Sequence, residues 1–217
     1  DHLQKCSVKI LQKIPDPSIR NFHLSIAISP TKNTDRFEWF LEKATEIGCD
    51  EIIPVLCNHS ERTVIKNERL NKVIVSAMKQ CLKSKLPLLR ELQDFKTFIN
   101  RVNSQLPFPP SEHEPIQKES NIKVNRPMLQ KFIGHIPELS DMNFPPKNPQ
   151  GKPLSKSLIP SSKSNILICI GPEGGFSEEE FTLAVQHGFT AISLGNSRLR
   201  VETAGVVACS IVNAMNL

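Results

Sequence analysis

The sequence predicts an α/β fold with a mainly parallel sheet, and three observations support this class. Short apolar runs that suit buried strands alternate with longer segments of helical periodicity along most of the 217 residues. Hydrophobic residues make up 39% of the chain, which is enough for a sizeable buried core. In the C-terminal third, two apolar strands each lead into a glycine-containing loop and then a helix, the order of a βα unit.

The first half of the chain contains two predicted strands around a helix. Residues 23–29 indicate a buried strand, and residues 51–56 a second one. Asp35 is expected to be the N-cap of the intervening helix, with Glu38 completing a capping box. Pro54 cannot donate a ladder hydrogen bond, so the second strand is predicted to be irregular or near an edge.

The middle of the chain is predicted to hold less regular elements. A long amphipathic helix is expected over residues 67–84, followed by a strand over 88–92 and a helix over 94–102. Residues 128–134 indicate another strand. Two polar, proline-bearing stretches are predicted to be surface loops: 103–127 and 136–164.

The first of the two C-terminal βα units has a glycine-rich turn at residues 171–176, after an apolar strand over 165–170. Three glycines in five positions let the backbone approach a ligand closely, and a following helix offers free N–H groups. Ser177 and Glu180 have the spacing of a capping box. The turn matches neither the dinucleotide fingerprint nor the phosphate loop of nucleotide-binding enzymes. The alternative is a tight turn that needs glycine only for its shape.

The second unit follows a predicted strand over residues 191–194, and Thr203 is expected to cap the last helix. Two parallel strands that both end in such loops can build one crevice at the carboxyl edge of the sheet. Arg198, Arg200 and Glu202 are therefore candidates for catalysis in that crevice. The alternative is a surface loop with an internal arginine–glutamate pair.

Positive charge is concentrated in one part of the chain, whose net charge is +5. Between residues 60 and 90 there are eight basic and two acidic residues, a density that would attract a polyanion such as RNA. The alternative is a solvated helix face. Arg62 is expected either to contact a phosphate or base, or to pair with Glu61.

Several functional classes are excluded at this stage. The six cysteines include no C-x-x-C pair and no cysteine–histidine cluster with zinc spacing, so no metal site is predicted. Reduced, buried thiols in a cytoplasmic protein are the expected state. No apolar run approaches 18 residues, and no membrane association is predicted.

Two segments carry a resemblance to a known family: GPEGGFSEEEF (residues 171–181) and LGNSRLRVETA (residues 194–204). With them, the chain resembles the RsmE family of ribosomal RNA N-3-uridine methyltransferases, which belong to the SPOUT superfamily. Shorter matches precede them in the same order: residues 35–38, 43–48, 60–62 and 77–80.

This resemblance implies a SPOUT-type fold with a deep C-terminal trefoil knot that binds S-adenosyl-L-methionine, mainly through backbone groups. Residues 21–217 are then the methyltransferase domain, and residues 1–20 the remnant of a PUA-like RNA-binding domain plus a linker. The implied cofactor-binding residues are Ile170, Gly171, Pro172, Glu173, Gly174, Gly175, Phe176, Leu194, Gly195, Asn196 and Leu199. A side chain at Gly174 is expected to fill the cofactor space.

The implied reaction is methylation of a uridine in 16S ribosomal RNA of the small subunit, by a cytoplasmic homodimer joined through the knot region. Four basic residues are the candidates for RNA contact: Arg62, Lys79, Lys83 and Lys85. The alternatives are a SPOUT methyltransferase of another RNA such as tRNA, a non-catalytic RNA-binding module of this fold, and an enzyme that binds a nucleotide at the glycine turn.

Overall fold

The computed structural model describes residues 8–12, 20–104, 128–134, 152–159 and 164–216, which form an α/β fold. The elements in chain order are β1 (Phe22–Ile28), α1 (Thr34–Ile47), β2 (Glu51–Leu56), α2 (Asn67–Gln80), β3 (Leu88–Leu89), β4 (Gln93–Asp94), α3 (Phe95–Ser104), β5 (Met128–Gly134), β6 (Lys152–Pro153), α4 (Leu154–Ser157), β7 (Ser164–Ile170), α5 (Glu178–Gln186), β8 (Thr190–Ser193) and α6 (Val201–Met215).

The strands form one parallel sheet in the order β3-β2-β1-β7-β5-β8-β6, with β4 pairing with the end of β2. β7 lies at the centre, where β1 pairs with its whole length and β5 with its first six residues. Because β7 is covered on both faces as well, its sequence is a near-continuous apolar run, as buried parallel strands usually are. The prediction of a mainly parallel α/β fold is confirmed.

Helices cover both faces of the sheet and make two hydrophobic cores. α1, α2 and α6 pack on one face, where Phe40, Ile74 and Val212 are fully buried. α3 and α5 pack on the other face, where Phe98 and Ala184 are fully buried. Alternate β7 residues supply the two cores, as the two-residue period of a strand requires.

α6 lies very close to α1, and one glycine allows this approach. A Cβ atom added at Gly205 would lie 2.5 Å from the ring of Phe40 and 3.0 Å from Cδ1 of Ile28. No real side chain fits in that space. The close contact brings the first turns of α1 and α6 together beside the ends of the central strands.

Several predicted element bounds are confirmed. β2 and β5 have the bounds that the sequence predicted, and the Ser177–Glu180 capping box is present at the start of α5. Pro54 lies between the two β2 residues that pair with β3 and the two that pair with β4. The outer ladder of β2 is thus interrupted where proline cannot donate a hydrogen bond.

Two predicted helix caps are wrong. The N-cap of α1 is Asn33, whose side-chain oxygen accepts from the Asp35 backbone N–H at 2.9 Å. Asparagine and aspartate are both good N-caps, and Asn33 and Asp35 lie only two positions apart in the sequence. α6 begins at Val201, so Thr203 lies inside its first turn; Arg200 is the N-cap and makes no side-chain capping bond.

α2 is shorter than predicted, because a Schellman motif ends it at Gln80 rather than residue 84. Lys83 N–H donates to the Met78 carbonyl at 3.1 Å, and Leu82 N–H to the Lys79 carbonyl at 3.3 Å. Leu82 occupies the left-handed position of this motif with a φ of 54°. The sequence gives little warning of this end, since glycine is the usual residue there.

The predicted loop over residues 136–164 is partly wrong, because it contains β6, α4 and the first residue of β7. The predicted strand over 88–92 is reduced to the two residues of β3. Residues 105–127, most of the first predicted loop, lie outside the described part of the chain, as do residues 1–7 and 13–19 of the predicted N-terminal remnant. Among the described helices, none is long and apolar enough to cross a membrane.

Candidate active site

Four loops meet at the carboxyl edge of the sheet, where β1, β2, β7 and β8 end. We call them the β1 loop (residues 29–33), the β2 loop (57–62), the β7 loop (171–177) and the β8 loop (194–200). Since all the parallel strands point the same way, these loops lie on one side of the molecule. Most of the residues singled out from the sequence belong to them.

The two loops predicted to share a crevice are in contact. Arg198 Nη2 in the β8 loop donates to the backbone carbonyl oxygen of Glu173 in the β7 loop at 3.3 Å. The two strands that lead to these loops are separated only by β5. The structure therefore brings together residues 171–176 and 194–199, which the sequence proposed as one ligand site.

The backbone of both loops borders open space, as a cofactor held by backbone groups requires. A Cβ atom at Gly175 or Gly195 would meet no atom within 4 Å, and both residues have positive φ, +77° and +144°. Gly171 differs, because its Cβ would lie 3.0 Å from the Phe176 ring. Phe176 packs on Phe95 of α3 with ring centroids 4.9 Å apart, which anchors the β7 loop to the fold.

The β1 loop closes against the β7 loop through Glu173. Lys32 N–H donates to Glu173 Oε1 at 3.1 Å, and Lys32 Nζ forms an ion pair with Glu61 at 2.7 Å. Arg62 donates to the backbone carbonyls of Thr31 and Lys32. The predicted alternative of an Arg62–Glu61 ion pair is therefore not what the structure shows; Glu61 has a different partner.

The β2 loop contacts the β7 loop at Gly174. A Cβ atom there would lie 2.9 Å from Cβ of His59, so the space beside Gly174 is occupied by protein. The expectation that a side chain at Gly174 would fill the cofactor space is corrected: it would collide with His59 first. His59 belongs to the stretch with Arg62 that the sequence marked, but no role was predicted for it, because its contact with a residue 115 positions away is purely tertiary.

The three catalytic candidates lie at the start of α6 but in different environments. Arg198 and Arg200 are exposed, while Glu202 in the first turn is 7% exposed. Glu202 Oε1 lies 3.9 Å from Nε of Arg36, in the first turn of α1. Arg36 lay within a family-like segment of the sequence, but its position beside Glu202 follows only from the packing of α6 on α1.

Four of the eight basic residues between positions 60 and 90 form ion pairs within the protein. Arg69 pairs with Glu38, Lys72 with Glu68, Lys85 with Asp50, and Arg90 with Glu51. Lys83 lies beside Gly48, and burial lowers the pKa of its ammonium group. Because Gly48 and Asp50 precede β2, Lys83 and Lys85 lie at the opposite, amino edge of the sheet. Among the predicted RNA contacts, the structure places only Arg62 at the carboxyl edge; Lys79 is exposed in the last turn of α2.

The five described cysteines are free thiols, and four of them are buried. Desolvation raises the pKa values of Cys57 and Cys169, so both stay protonated at neutral pH. The prediction of buried reduced thiols is confirmed for Cys49, Cys57, Cys169 and Cys209; Cys6 lies outside the described residues. Within the described ranges, no group of three or more histidine, cysteine, aspartate or glutamate residues could hold a metal ion.

The mainly parallel α/β sheet is a SPOUT-type methyltransferase fold, which this chain shares with solved RNA methyltransferase structures. Residues 18–213 match the model of the RNA methyltransferase domain family, and the chain belongs to this family. The resemblance drawn from the sequence is confirmed; the trefoil knot stays a prediction.

Relatives and solved structures point to the same family. The "Ribosomal RNA small subunit methyltransferase E" of Rickettsia conorii is 26% identical over 210 residues, 96% of this chain and 71% of the relative. A crystal structure described as a probable rRNA-methyltransferase from Porphyromonas gingivalis is 32% identical, with a TM-score of 0.69 over 94% of this chain and 71% of that one.

A third similarity comes with a ligand. The methyltransferase Lpg2936 from Legionella pneumophila, solved in complex with the bound cofactor SAM, is 25% identical, with a TM-score of 0.66. The match covers 91% of this chain and 68% of that one. The match covers 59 to 71% of the length of the first three curated relatives.

Proposed function

We propose that this protein methylates N-3 of a uridine in 16S ribosomal RNA, with S-adenosyl-L-methionine as the methyl donor. The observation that carries the proposal is the meeting of the β7 and β8 loops at the carboxyl edge, through Arg198 and Glu173. Membership in the RNA methyltransferase family supports the reaction class. The names of the relatives support small-subunit ribosomal RNA as the substrate.

The cofactor fits the two loops because their backbone, rather than side chains, borders the open space. We assign its binding to residues 170–176 of the strand end and β7 loop, with Leu194, Gly195, Asn196 and Leu199 of the β8 loop. When bound, S-adenosyl-L-methionine supplies a methyl group activated by the sulfonium charge. The SAM-bound Legionella structure supports this choice of cofactor.

The reacting uracil nitrogen must lose its proton to the solvent as its bond to the methyl group forms, and negative charge develops on the ring. Arg200 is exposed at the N-cap of α6, where the positive end of the helix dipole adds to its own charge. We assign to Arg200 the stabilisation of this charge, by a preorganised cation at the place where charge develops. Arg198 contributes positive charge beside it while it holds the β7 loop.

Glu202 serves best as a partner for Arg36. Its carboxylate is buried and faces the Arg36 guanidinium at 3.9 Å, whereas nearly half of the Arg36 side chain remains exposed. At this distance the two groups attract each other as an ion pair, which keeps the Arg36 charge beside the start of α6. Arg62 and Lys79 are the proposed contacts to the RNA backbone. Lys83 and Lys85 were predicted as further contacts, but both lie at the amino edge, where Lys85 pairs with Asp50.

The assembly belongs to the same proposal. We assign residues 21–217 to the methyltransferase domain and residues 1–20 to the end of a PUA-like RNA-binding domain with its linker. The homodimer is expected to form through the knot region, and α6 carries half-buried apolar residues that suit an interface: Val206, Val207 and Ile211. An enzyme of small-subunit RNA is expected to work in the cytoplasm.

The test offers purified small ribosomal subunits and bulk tRNA to the protein with labelled S-adenosyl-L-methionine. We expect label only in 16S RNA, and nuclease digestion with mass spectrometry should identify 3-methyluridine. Label in tRNA alone would show that the substrate is tRNA rather than 16S RNA. Saturable cofactor binding by calorimetry with no transfer to either RNA would favour the non-catalytic module.

A further inference from the structure

We propose that His59 is a positioning residue that sets the shape of the β7 loop for its ligand. This inference rests on the proposed function, because it assigns a task to a residue beside the same site. His59 lies in the β2 loop and is exposed, so its imidazole is not needed to fill a core. Its two contacts instead concentrate on the two central glycines of the β7 loop.

The first contact is steric. His59 occupies the position where a side chain at Gly174 would begin, with its Cβ 2.9 Å and its Cγ 3.3 Å from an ideal Gly174 Cβ. The backbone of Gly174 therefore passes directly against the histidine. A real Cβ essentially never lies within 3.0 Å of such an atom, so only glycine fits at position 174 while His59 keeps this place.

The second contact is a hydrogen bond to the next residue. His59 Nδ1 lies 3.1 Å from the carbonyl oxygen of Gly175. A carbonyl oxygen only accepts, so this nitrogen carries the proton and donates. Since a trans peptide directs its N–H opposite to its C=O, holding this carbonyl also directs the Phe176 N–H.

The bonded residue is one that needs to be held. Gly175 has a φ of +77°, and a Cβ atom on it would meet no other atom within 4 Å. Glycine visits positive and negative φ about equally, so it does not select this conformation by itself. Within the loop, Gly175 N–H donates to the Pro172 carbonyl at 2.9 Å, which closes the turn but does not hold the Gly175 carbonyl itself. The His59 bond holds that carbonyl.

His59 can act in this way because its neighbours are fixed. Asn58 N–H donates to Glu180 Oε1 at 2.8 Å, and Asn58 Nδ2 donates to Ser177 Oγ at 2.9 Å. On the other side, Ser60 Oγ accepts from Cys57 N–H at 2.9 Å and lies 2.8 Å from Ser29 Oγ. The β2 loop is thus tied to the start of α5 and to the β1 loop, which gives the imidazole a rigid base.

Three variants of the full chain test the proposal. His59→Ala removes the donor, and His59→Asn restores one, because the asparagine amide nitrogen can take the place of Nδ1. His187→Ala is the matched control: its Nδ1 also contacts a backbone carbonyl, that of Leu183 at 2.9 Å, but at the far end of α5. Calorimetry with S-adenosyl-L-methionine is the first readout.

We expect His59→Ala to weaken cofactor binding about tenfold, as the loss of one ordered hydrogen bond does. His59→Asn should bind within about threefold of the unmodified protein, and His187→Ala should bind like it. In steady state, the KM for the cofactor should rise in His59→Ala, whereas kcat and the KM for RNA should stay nearly unchanged. The proposal would be overturned if His59→Ala bound the cofactor as tightly as the unmodified protein does. It would also be overturned if His187→Ala lost as much affinity as His59→Ala.

A second readout does not depend on the cofactor. Amide hydrogen exchange of residues 174–176 should be about tenfold faster in His59→Ala than in the unmodified protein, without ligand, and restored in His59→Asn. If the unmodified protein bound no S-adenosyl-L-methionine, the proposed function would be wrong. The exchange measurement would still decide the role of His59. If His59→Ala failed to fold, unaltered exchange and affinity in His59→Gln, whose nitrogen lies too far out, would overturn the proposal.

Discussion

The two edges of the sheet use the same kinds of charged residue for different purposes. At the amino edge, Asp50 and Glu51 are almost fully buried, and Arg20, Lys85 and Arg90 pair with them at 2.5 to 2.8 Å. At the carboxyl edge, Arg198 and Arg200 are exposed, and Arg198 donates to a backbone carbonyl rather than to a carboxylate. Charges at the amino edge neutralise one another, whereas those at the carboxyl edge keep positive charge available to a ligand.

Charge alone therefore does not mark a functional site in this protein. The basic stretch of residues 60–90 looked like an RNA-binding feature, yet Lys85 and Arg90 serve buried carboxylates. Removing an amino-edge residue is therefore expected to cost stability, and removing a carboxyl-edge residue to cost activity.

The largest expected effect comes from Arg200→Ala. Methyl transfer should fall about 100-fold, because a cation aimed at developing charge is lost. Cofactor affinity and thermal stability should stay nearly constant, since Arg200 makes no capping bond. Single-turnover rates at saturating cofactor provide the measurement.

The matched control is Arg90→Ala, an arginine of the amino edge, which should lower stability and leave the transfer rate of the folded protein unchanged. Full activity in Arg200→Ala would remove this residue from the catalytic assignment.

The next effect in size is expected for Asp50→Ala. Arg20 and Lys85 would lose their shared partner, and the Leu24 N–H its acceptor at 2.9 Å. We expect the free energy of unfolding to fall by about 2 kcal/mol, less than for a fully buried pair because both cations are partly exposed. Urea unfolding measures it. Lys72→Ala, which breaks the exposed Lys72–Glu68 pair, should change it by less than about 0.5 kcal/mol.

Glu51 predicts a pH dependence of the amino edge. Burial acts to raise the pKa of its carboxyl group, but the His23 imidazole at 3.8 Å and the hydrogen bonds from Arg90 and Ser25 outweigh this and hold the pKa below the ordinary value of 4.5. A lowered pKa in the folded state means that the stabilisation is present above pH 4.5 and is lost as the pH falls through the folded value.

The unmodified protein should therefore exceed Glu51→Gln in stability at pH 6, and the difference should shrink as the pH falls below about 4.5. Urea unfolding at a series of pH values checks this. A difference that stayed constant from pH 6 to pH 3 would contradict the assignment.

The smallest effect is expected at the end of α2, which leads into the amino edge. Leu82 is held in the left-handed conformation with its side chain almost wholly exposed. Leu82→Gly should raise the free energy of unfolding by about 0.5 kcal/mol, since the strain removed exceeds the added entropy of the unfolded chain. Leu82→Ala is the control and should not stabilise the protein.

The fold was largely predictable, because the signals that carry it are local. The apolar run of β7, the period of the helices and the Ser177–Glu180 spacing each lie within a few residues. The failures arose where neighbouring choices were nearly equal, as between Asn33 and Asp35, or where a residue adopts an uncommon backbone conformation, as Leu82 does.

The site was predictable only in part. Its two loops follow from glycine-containing turns after apolar strands, so residues 171–176 and 194–199 could be found. His59 and Arg36 could not, because their partners Gly174 and Glu202 are more than 100 positions away in the chain. Only the packing of α6 on α1, and of the β2 loop on α5, brings them together.

The position of Cys169 under the α3 and α5 layer makes this thiol a natural reporter of the separation of these helices from the sheet. It is fully buried in the core between β7 and the two helices, and its raised pKa keeps it unreactive while they stay packed. A maleimide can reach this sulfur only after the helices move away from the sheet, whereas half-buried Cys81 should be modified much earlier. Peptide mapping after timed alkylation would measure the rate at which Cys169 becomes accessible, without any engineered label.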